Sequence, residues 1–89
     1  MYSKQTTVIN RTGLHARPAS DFVIAAKKFE SKVTVRNIAD GEAINAKSIV
    51  RLLAEGMSMG THIEIAAEGP DEQQAVEQLV KLVDSGFGE

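Results

Sequence analysis

The sequence contains no cysteine and no tryptophan, and its basic residues do not form a block. Without cysteine, neither a disulfide nor a thiolate metal site can form. The formal net charge of −2 argues against a nucleic-acid-binding surface. No apolar run approaches the ~20 residues that a membrane helix needs, and the first ten residues lack the apolar core of a signal sequence. We therefore expect a cytoplasmic protein that is not inserted in a membrane and uses neither metal nor cofactor.

The composition is that of a small globular protein. Of the 89 residues, 43% are hydrophobic and 25% are charged, which is ordinary for a folded domain. A chain of this length buries roughly 60–65% of its unfolded surface, which is enough for one thin core. Because no linker, repeat or low-complexity tract interrupts the sequence, residues 1–89 are expected to fold as a single domain.

Apolar periodicity predicts strands and helices in the order β-α-β-β-α-β-α. Strands are predicted over residues 2–9, 32–38, 42–45 and 61–67, and helices over 16–28, 46–54 and from within 69–72 to Gly86. The Asp40-Gly41 dipeptide is typical of a tight turn between the second and third strands. The helices carry apolar stripes at Ala19, Phe22, Val23 and Ala26, at Ile49, Leu52 and Leu53, and at Val76, Leu79, Val80 and Val83. The pattern indicates a two-layer α+β domain and leaves the strand order open.

The stretch Gly13-Leu14-His15-Ala16-Arg17-Pro18-Ala19 lies where the first strand gives way to the first helix. Pro18 fits the first helical turn because it has no N–H and a fixed φ, and Gly13 allows a sharp turn before the histidine. His15 is thereby placed at a helix N-terminus, where free amide N–H groups and the helix dipole favour an anion. Arg17 adds a planar fork of donors that matches phosphate oxygens. We interpret His15 as a residue that can hold a phosphoryl group covalently.

Other interpretations of the histidines remain open at this point. His15 could be an ordinary surface or capping residue, or the base of a small enzyme, although no G-x-S-x-G elbow or catalytic triad is apparent. His62 is expected on the outer face of a strand, in contact with solvent. The stretch from Gly41 to Ser48 resembles a nucleotide phosphate loop, but Ala46 replaces its second glycine. Nucleotide binding is therefore not expected.

Ser48 stands at the predicted start of the second helix, next to Lys47. Serine is a favourable helix cap, and as an exposed residue it is also a candidate site of regulatory phosphorylation. A phosphate would place roughly −1.5 to −2 charges beside Ile49, Val50 and Leu53. Because this charge would weaken docking of a partner with acidic groups, a binding module switched at Ser48 is a third hypothesis beside a phosphocarrier and a small enzyme.

The sequence closely resembles HPr, the histidine-containing phosphocarrier family of the bacterial phosphoenolpyruvate-dependent sugar phosphotransferase system. The resemblance covers the whole chain and is carried by the stretch from Gly13 to Ala19, by Asn45-Ala46-Lys47-Ser48-Ile49-Val50 and by Ala67-Glu68-Gly69. It implies an open-faced β-sandwich, in which a four-stranded antiparallel sheet of order 1-4-2-3 has three helices on one face. It also implies a monomer that is transiently phosphorylated and is not itself an enzyme.

The resemblance implies a role for each site residue. His15 would accept a phosphoryl group on Nδ1 from the phosphohistidine of Enzyme I and pass it to IIA domains of sugar permeases, with Arg17 neutralising the phosphoryl oxygens. Ser48 would be phosphorylated by an ATP-dependent HPr kinase/phosphorylase, which hinders this relay and creates a ligand for the catabolite control repressor of carbon catabolite repression. The surface that docks donor and acceptor would comprise Ser20, Ile24, Lys27, Ile49, Val50, Arg51 and Leu53. Ile24 could equally be a residue at the edge of the core.

The sequence departs from the family pattern outside the histidine motif. The hairpin through residues 37–41 is longer than usual, which shifts the serine to position 48. Glu55 stands where many members have an apolar residue, and Arg51 stands where many Firmicute members have glycine. These differences concern Ser48 and its partners, so the histidine relay is the function that we expect.

Overall fold

A computed structural model describes residues 1–39 and 41–89, so Asp40 and the turn predicted on it lie outside the described residues. The elements follow the predicted order: β1 (Tyr2–Thr7), α1 (Ala16–Lys27), β2 (Lys32–Asn37), β3 (Ala43–Asn45), α2 (Ile49–Glu55), β4 (His62–Glu68) and α3 (Glu72–Asp84). A short 3₁₀ turn at Gly86–Gly88 follows α3 and was not predicted. None of the helices within these described ranges is long and apolar enough to cross a membrane.

The four strands form one antiparallel sheet in the order β1-β4-β2-β3, which confirms the topology that the family resemblance implied. β4 is a central strand, with Thr7 of β1 opposite its first residue His62 and Lys32 of β2 opposite its last residue Glu68. The chain therefore turns at two opposite ends of the sheet. We call the end with residues 8–15 and 57–61 the His15 end, and the end with residues 31 and 69–71 the Ser31 end.

One face of the sheet is buried beneath the helices, as the alternation of β4 predicts. Ile63, Ile65 and Ala67 are buried, whereas the residues between them are more exposed. The predicted stripes of α1 and α3 pack on this face, with only Val80 half-buried. Since the described residues of the other sheet face carry no helix of their own, the domain is an open-faced β-sandwich of the α+β class.

The second helix differs most from its prediction. It begins at Ile49 rather than at residue 46, because Ser48 is extended, with φ −110°, and acts as the N-cap. Leu52 alone of the predicted stripe is buried, while Ile49 and Leu53 are 37% and 42% exposed. Ala46 fills the core from the preceding turn instead. A short helix on the rim of the domain therefore presents apolar side chains to solvent.

The other boundaries move by one or two residues. β1 ends at Thr7 because Val8 leaves the ladder and donates its N–H to Thr61 O at 2.9 Å. α3 begins at Glu72, after the N-cap Asp71, so Pro70 lies outside the helix rather than in its first turn. Such shifts are ordinary at element ends and leave the core residues in place.

Candidate functional site

The loop before His15 is fixed by close backbone packing. Leu14 donates its N–H to Met57 O at 2.8 Å, and its side chain is fully buried. Gly13 has φ +68°, and a Cβ there would lie 2.6 Å from Met57 O and 2.7 Å from Ser58 Cα. The structure thus gives the predicted turn glycine two reasons to be glycine, its backbone conformation and the absence of space for a side chain.

His15 is the N-cap of α1, and the residue is half-buried. Its backbone is extended, with φ −133° and ψ 165°, and its side chain makes no cap hydrogen bond. The next residue, Ala16, has φ +51°, a conformation that L-residues rarely adopt. Strained backbone of this kind persists only where the surrounding structure enforces it, and it concentrates at functional sites.

The N-terminus of α1 is open to an anion. Ala16 and Arg17 are first-turn residues whose N–H groups have no intrahelical acceptor, while Pro18 has no N–H. The first turn contains no acidic residue. By contrast, Ser48 caps α2 through its hydroxyl, and the first turn of α3 contains Glu72. Among the three α-helices of the described residues, α1 alone has neither a side-chain cap nor a first-turn acid, so the positive end of its dipole is uncompensated.

Arg17 lies in solvent rather than in a fixed contact with the histidine. Its side chain is 91% exposed, and its Nε lies 3.9 Å from Asp21 Oδ2, four residues further along the helix. An exposed pair at this distance is weak. The sequence analysis overlooked Asp21, although Arg and Asp at i and i+4 on a predicted helix indicate such a pair.

The predicted docking residues all reach the surface. Ile24 is 55% exposed and Val50 is 72% exposed, so the alternative of Ile24 as a core-edge residue is wrong. α1 and α2 pack against each other, which brings together two helices that each carry exposed apolar side chains. The other members of the predicted surface are also exposed: Ser20, Lys27, Ile49, Arg51 and Leu53.

Ser48 is less exposed than predicted, and the side chain of its neighbour Lys47 is hydrogen-bonded. The Ser48 hydroxyl accepts a hydrogen bond from Arg51 N at 3.3 Å, and the residue is half-buried rather than exposed. The Lys47 ammonium donates to Phe29 O at 2.7 Å. This bond ties the turn before α2 to the chain just beyond the C-terminal end of α1, whereas His15 lies at the N-terminal end of that helix.

A polar network that was not predicted from the sequence supports the loop before the histidine. Asn10 is 4% exposed, and its Nδ2 donates to Gly13 O at 2.9 Å. Glu89 accepts from the Thr12 hydroxyl at 2.8 Å, and this bond is the main reason why the pKa of Glu89 lies below its ordinary value. Asparagine is favoured in turns because its side chain hydrogen-bonds to the nearby backbone. An asparagine three residues before a turn glycine could therefore have indicated that Asn10 stabilises this turn.

The second histidine behaves as predicted. His62 is exposed at the start of β4, and its Nδ1 lies 2.8 Å from the Thr7 hydroxyl across the strand pair. Within residues 1–39 and 41–89, no group of three or more potential ligands among His, Asp and Glu comes close enough to hold a metal ion.

Comparison with known proteins identifies relatives along nearly the whole chain. The family model described as "PTS HPr component phosphorylation site" matches residues 2–85. The phosphocarrier protein HPr of Haemophilus influenzae is 47% identical over 83 residues, covering 93% of this chain and 95% of that protein. A multiphosphoryl transfer protein of the same organism is 42% identical over 84 residues, but the chain spans only 17% of its length. The crystal structure of HPr-C-His from Thermoanaerobacter tengcongensis matches with a TM-score of 0.95 at 44% identity, covering 100% of this chain and 98% of that one.

Proposed function

The chain belongs to the HPr family of phosphocarrier proteins of the phosphotransferase system, and we propose that His15 carries its phosphoryl group. The observation that supports this assignment is the open N-terminus of α1. His15 caps the helix only through its backbone, and the first turn offers amide donors without a competing carboxylate. A phosphoryl group on the ring would supply the negative charge that this helix end lacks.

The transfer is an exchange of one P–N bond for another. The neutral His15 imidazole attacks the phosphorus of a phosphohistidine on Enzyme I, the new P–N bond forms at Nδ1, and the donor nitrogen keeps the electron pair of the broken bond. The second transfer, to a histidine of a IIA domain, repeats these steps. Because such reactions pass through a loose transition state, alignment and charge neutralisation supply most of the catalysis.

Arg17 serves this chemistry as a mobile cation. In the unphosphorylated protein its partner is Asp21, at 3.9 Å and in solvent. A phosphoryl dianion offers more charge and a geometry suited to the guanidinium fork, so it competes with this carboxylate for Arg17. The same exposure allows Arg17 to turn toward phosphate on either partner during docking.

Donor and acceptor use one surface in turn. The exposed apolar side chains on α1 and α2 are the two patches that such a partner would cover, and Ile24 and Val50 are the most exposed among them. A carrier requires modest affinity and rapid release, which a small interface of this kind provides. The proposed partners are therefore Enzyme I and IIA domains.

Incubation with Enzyme I and phosphoenolpyruvate tests the proposal. We expect one phosphoryl group per chain, acid-labile as a phosphohistidine is, and none on His15→Ala. The matched control is His62→Ala, which removes the other histidine and should be phosphorylated normally. Turnover of a small molecule without any partner protein, or an acid-stable product, would contradict the proposal.

A second candidate function, regulation at Ser48, rests on the geometry of its cap. The hydroxyl that accepts from Arg51 N would carry the phosphate from an ATP-dependent kinase. Roughly −1.5 to −2 charges would then lie between the Lys47 turn and the exposed residues Ile49 and Val50. The modification would repel acidic groups of a docking partner. Its proposed consequences are a slower histidine relay and a ligand for a catabolite control repressor.

The substitution Ser48→Asp tests this second function. We expect slower phosphorylation of His15 by phospho-Enzyme I through a raised KM, because the charge acts on docking. Ser48→Ala is the matched control: it loses the cap, at about 0.5–2 kcal/mol of stability, but adds no charge and should transfer normally. Equal kinetics of the two variants would remove Ser48 as a switch.

A further inference from the structure

We propose that Asn10 is a positioning residue for phosphoryl transfer, acting on His15 through the loop that joins β1 to α1. The inference rests on the proposed carrier function of His15. Asn10 does not contact the phosphoryl site itself; its side chain is 4% exposed and packed beneath the loop. Because it is buried, it cannot act by touching a docking partner.

Asn10 bonds to both polar groups of Gly13, to the N–H through its own backbone carbonyl and to the C=O through its side-chain amide. Gly13 donates its N–H to Asn10 O at 3.1 Å, and Gly13 O accepts from Asn10 Nδ2 at 2.9 Å. The N–H of this same Gly13–Leu14 peptide, on Leu14, donates to Met57 O. Both polar groups of the Gly13–Leu14 peptide therefore have partners, so the backbone is held one residue before the N-cap His15.

The network continues to the surface through the Thr12 hydroxyl, which both accepts and donates a hydrogen bond. Thr12 Oγ1 accepts from Asn10 Nδ2 at 3.3 Å and donates to Glu89 Oε2 at 2.8 Å. Thr12 N–H also points to Glu89, with its nitrogen 3.4 Å from Oε1. An ionised Glu89 can only accept, so it fixes the direction of the Thr12 proton and leaves the hydroxyl lone pairs to the Asn10 amide.

The same amide is poorly arranged for stability alone. Asn10 Oδ1 is buried and has no hydrogen-bond partner among the described residues. A buried polar atom without a partner costs free energy, and an apolar side chain of similar size would avoid that cost. What the amide does provide is two hydrogen bonds from Nδ2 to the loop. This loop leads to Ala16, whose φ of +51° is strained.

Loss of these bonds should act on the chemical step. A reacting group displaced by about 1 Å can slow a reaction roughly 100-fold. We expect Asn10→Ala to lower kcat for phosphorylation by phospho-Enzyme I by about 10- to 100-fold, with KM changed little because the docking surface is untouched. Asn10→Asp keeps the shape but replaces the donor by an acceptor facing Gly13 O, so we expect a similar loss.

Ser31→Ala provides the matched control. Ser31 is also a buried polar residue, 1% exposed, but it lies at the other end of the sheet and bonds to Asp71. Each variant is measured at a temperature where amide NMR spectra show it folded, and if Asn10→Ala does not fold, Asn10→Asp decides. Low kcat in the Asn10 variants with normal kcat in Ser31→Ala supports the inference.

Two results would overturn it, and they are distinguishable. Normal kcat in the Asn10 variants, or an equal loss in Ser31→Ala, removes Asn10 as a positioning residue and leaves the carrier function intact. A wild-type protein that takes no phosphoryl group on His15 overturns the proposed function and this inference together.

Discussion

The two ends of the sheet are built from the same parts. At the His15 end, Gly13 has φ +68° and no space for a Cβ against Met57 and Ser58; at the Ser31 end, Gly69 has φ +150° and a Cβ there would lie 2.7 Å from Ser31 Cα. Each end also contains a buried polar side chain that is hydrogen-bonded: Asn10 bonds within its own loop, and the Ser31 hydroxyl bonds to Asp71.

The ends differ in whether carboxylates and side-chain caps are present near the N-terminus of the helix that starts there. At the Ser31 end, Asp71 accepts the N–H groups of Glu30 and Ser31, and Glu72 in the first turn of α3 accepts the N–H of Gly69. At the His15 end, α1 begins with no carboxylate and no side-chain cap. The region around the start of α3 is thus tied by carboxylates of the protein itself, whereas the N-terminus of α1 lacks a negative charge, which a ligand can supply.

The largest expected effect comes from making the His15 end resemble the Ser31 end. Arg17→Glu places a carboxylate in the first turn of α1, where it satisfies the dipole and stabilises the helix by about 0.3–1 kcal/mol. The same charge repels the phosphoryl group, so phosphorylation by phospho-Enzyme I should fall on the order of 100-fold or more.

The control for this variant is Arg17→Gln, which removes the cation and adds no acid. It should transfer more slowly than wild type but faster than Arg17→Glu. Equal rates for the two variants would mean that the charge at the helix N-terminus does not matter.

Alanine at the two glycines gives the next largest effect. Gly13→Ala and Gly69→Ala both force a side chain into a positive φ and a backbone clash, and each should lower the free energy of unfolding by about 1–3 kcal/mol. Only Gly13→Ala should also slow phosphoryl transfer, by about tenfold or more. Denaturant unfolding together with transfer kinetics separates the two; equal slowing in both would tie activity to stability alone.

A smaller effect concerns acid stability at the Ser31 end. The Ser31 hydroxyl and nearby amides lower the pKa of Asp71 in the folded protein. The stability that Asp71 contributes is therefore present above its unfolded pKa and is lost as the pH falls through its folded value. Asp71→Asn should lower the thermal midpoint at neutral pH and flatten its decline on acidification.

Some decline should remain in Asp71→Asn, because the pKa values of Glu72, Glu77 and Glu89 are also lowered. Thermal unfolding followed by circular dichroism, from neutral pH down to below the folded pKa of Asp71, measures the midpoint and its decline on acidification. An unchanged slope would show that the Asp71 network contributes nothing to acid stability.

The smallest effect is expected from Asp21→Asn. The variant frees Arg17 from its partner at 3.9 Å, so the guanidinium no longer has to leave a carboxylate. Since exposed pairs are weak, phosphorylation should become faster by only about twofold. Slower transfer would indicate that Asp21 contributes to docking instead.

The order of the elements and most of the core were predictable because period-two and period-3.6 patterns reflect burial directly, whereas the strand order came from the family resemblance. The stripe around Phe22 and the alternation of Ile63 and Ile65 are examples. The start of α2 was not predictable in this way, because Ala46 fits a helix by propensity. Only the extended backbone of Ser48 in the structure shows where the helix begins.

The residues of the candidate site also differ in how far they could be predicted from the sequence. His15 and Gly13 belong to a contiguous motif and could be found from spacing. The bonds of Asn10 and Glu89 to Thr12 join residues up to 77 positions apart, and the φ of +51° at Ala16 is one that an alanine in the sequence does not indicate. The reacting histidine was therefore predictable from the sequence, whereas the hydrogen bonds that hold the loop before it were not.

The most direct test follows backbone amides during phosphorylation. The ¹H–¹⁵N spectrum of the wild-type protein is recorded before and after addition of catalytic Enzyme I and phosphoenolpyruvate. If the open N-terminus of α1 receives the phosphoryl group, the amides of Ala16 and Arg17 shift strongly, while those of Gly69 and Glu72 at the Ser31 end stay in place. Uptake of phosphoryl that leaves Ala16 and Arg17 unmoved, or that shifts the amides around Ser48 or His62 instead, would contradict the assignment.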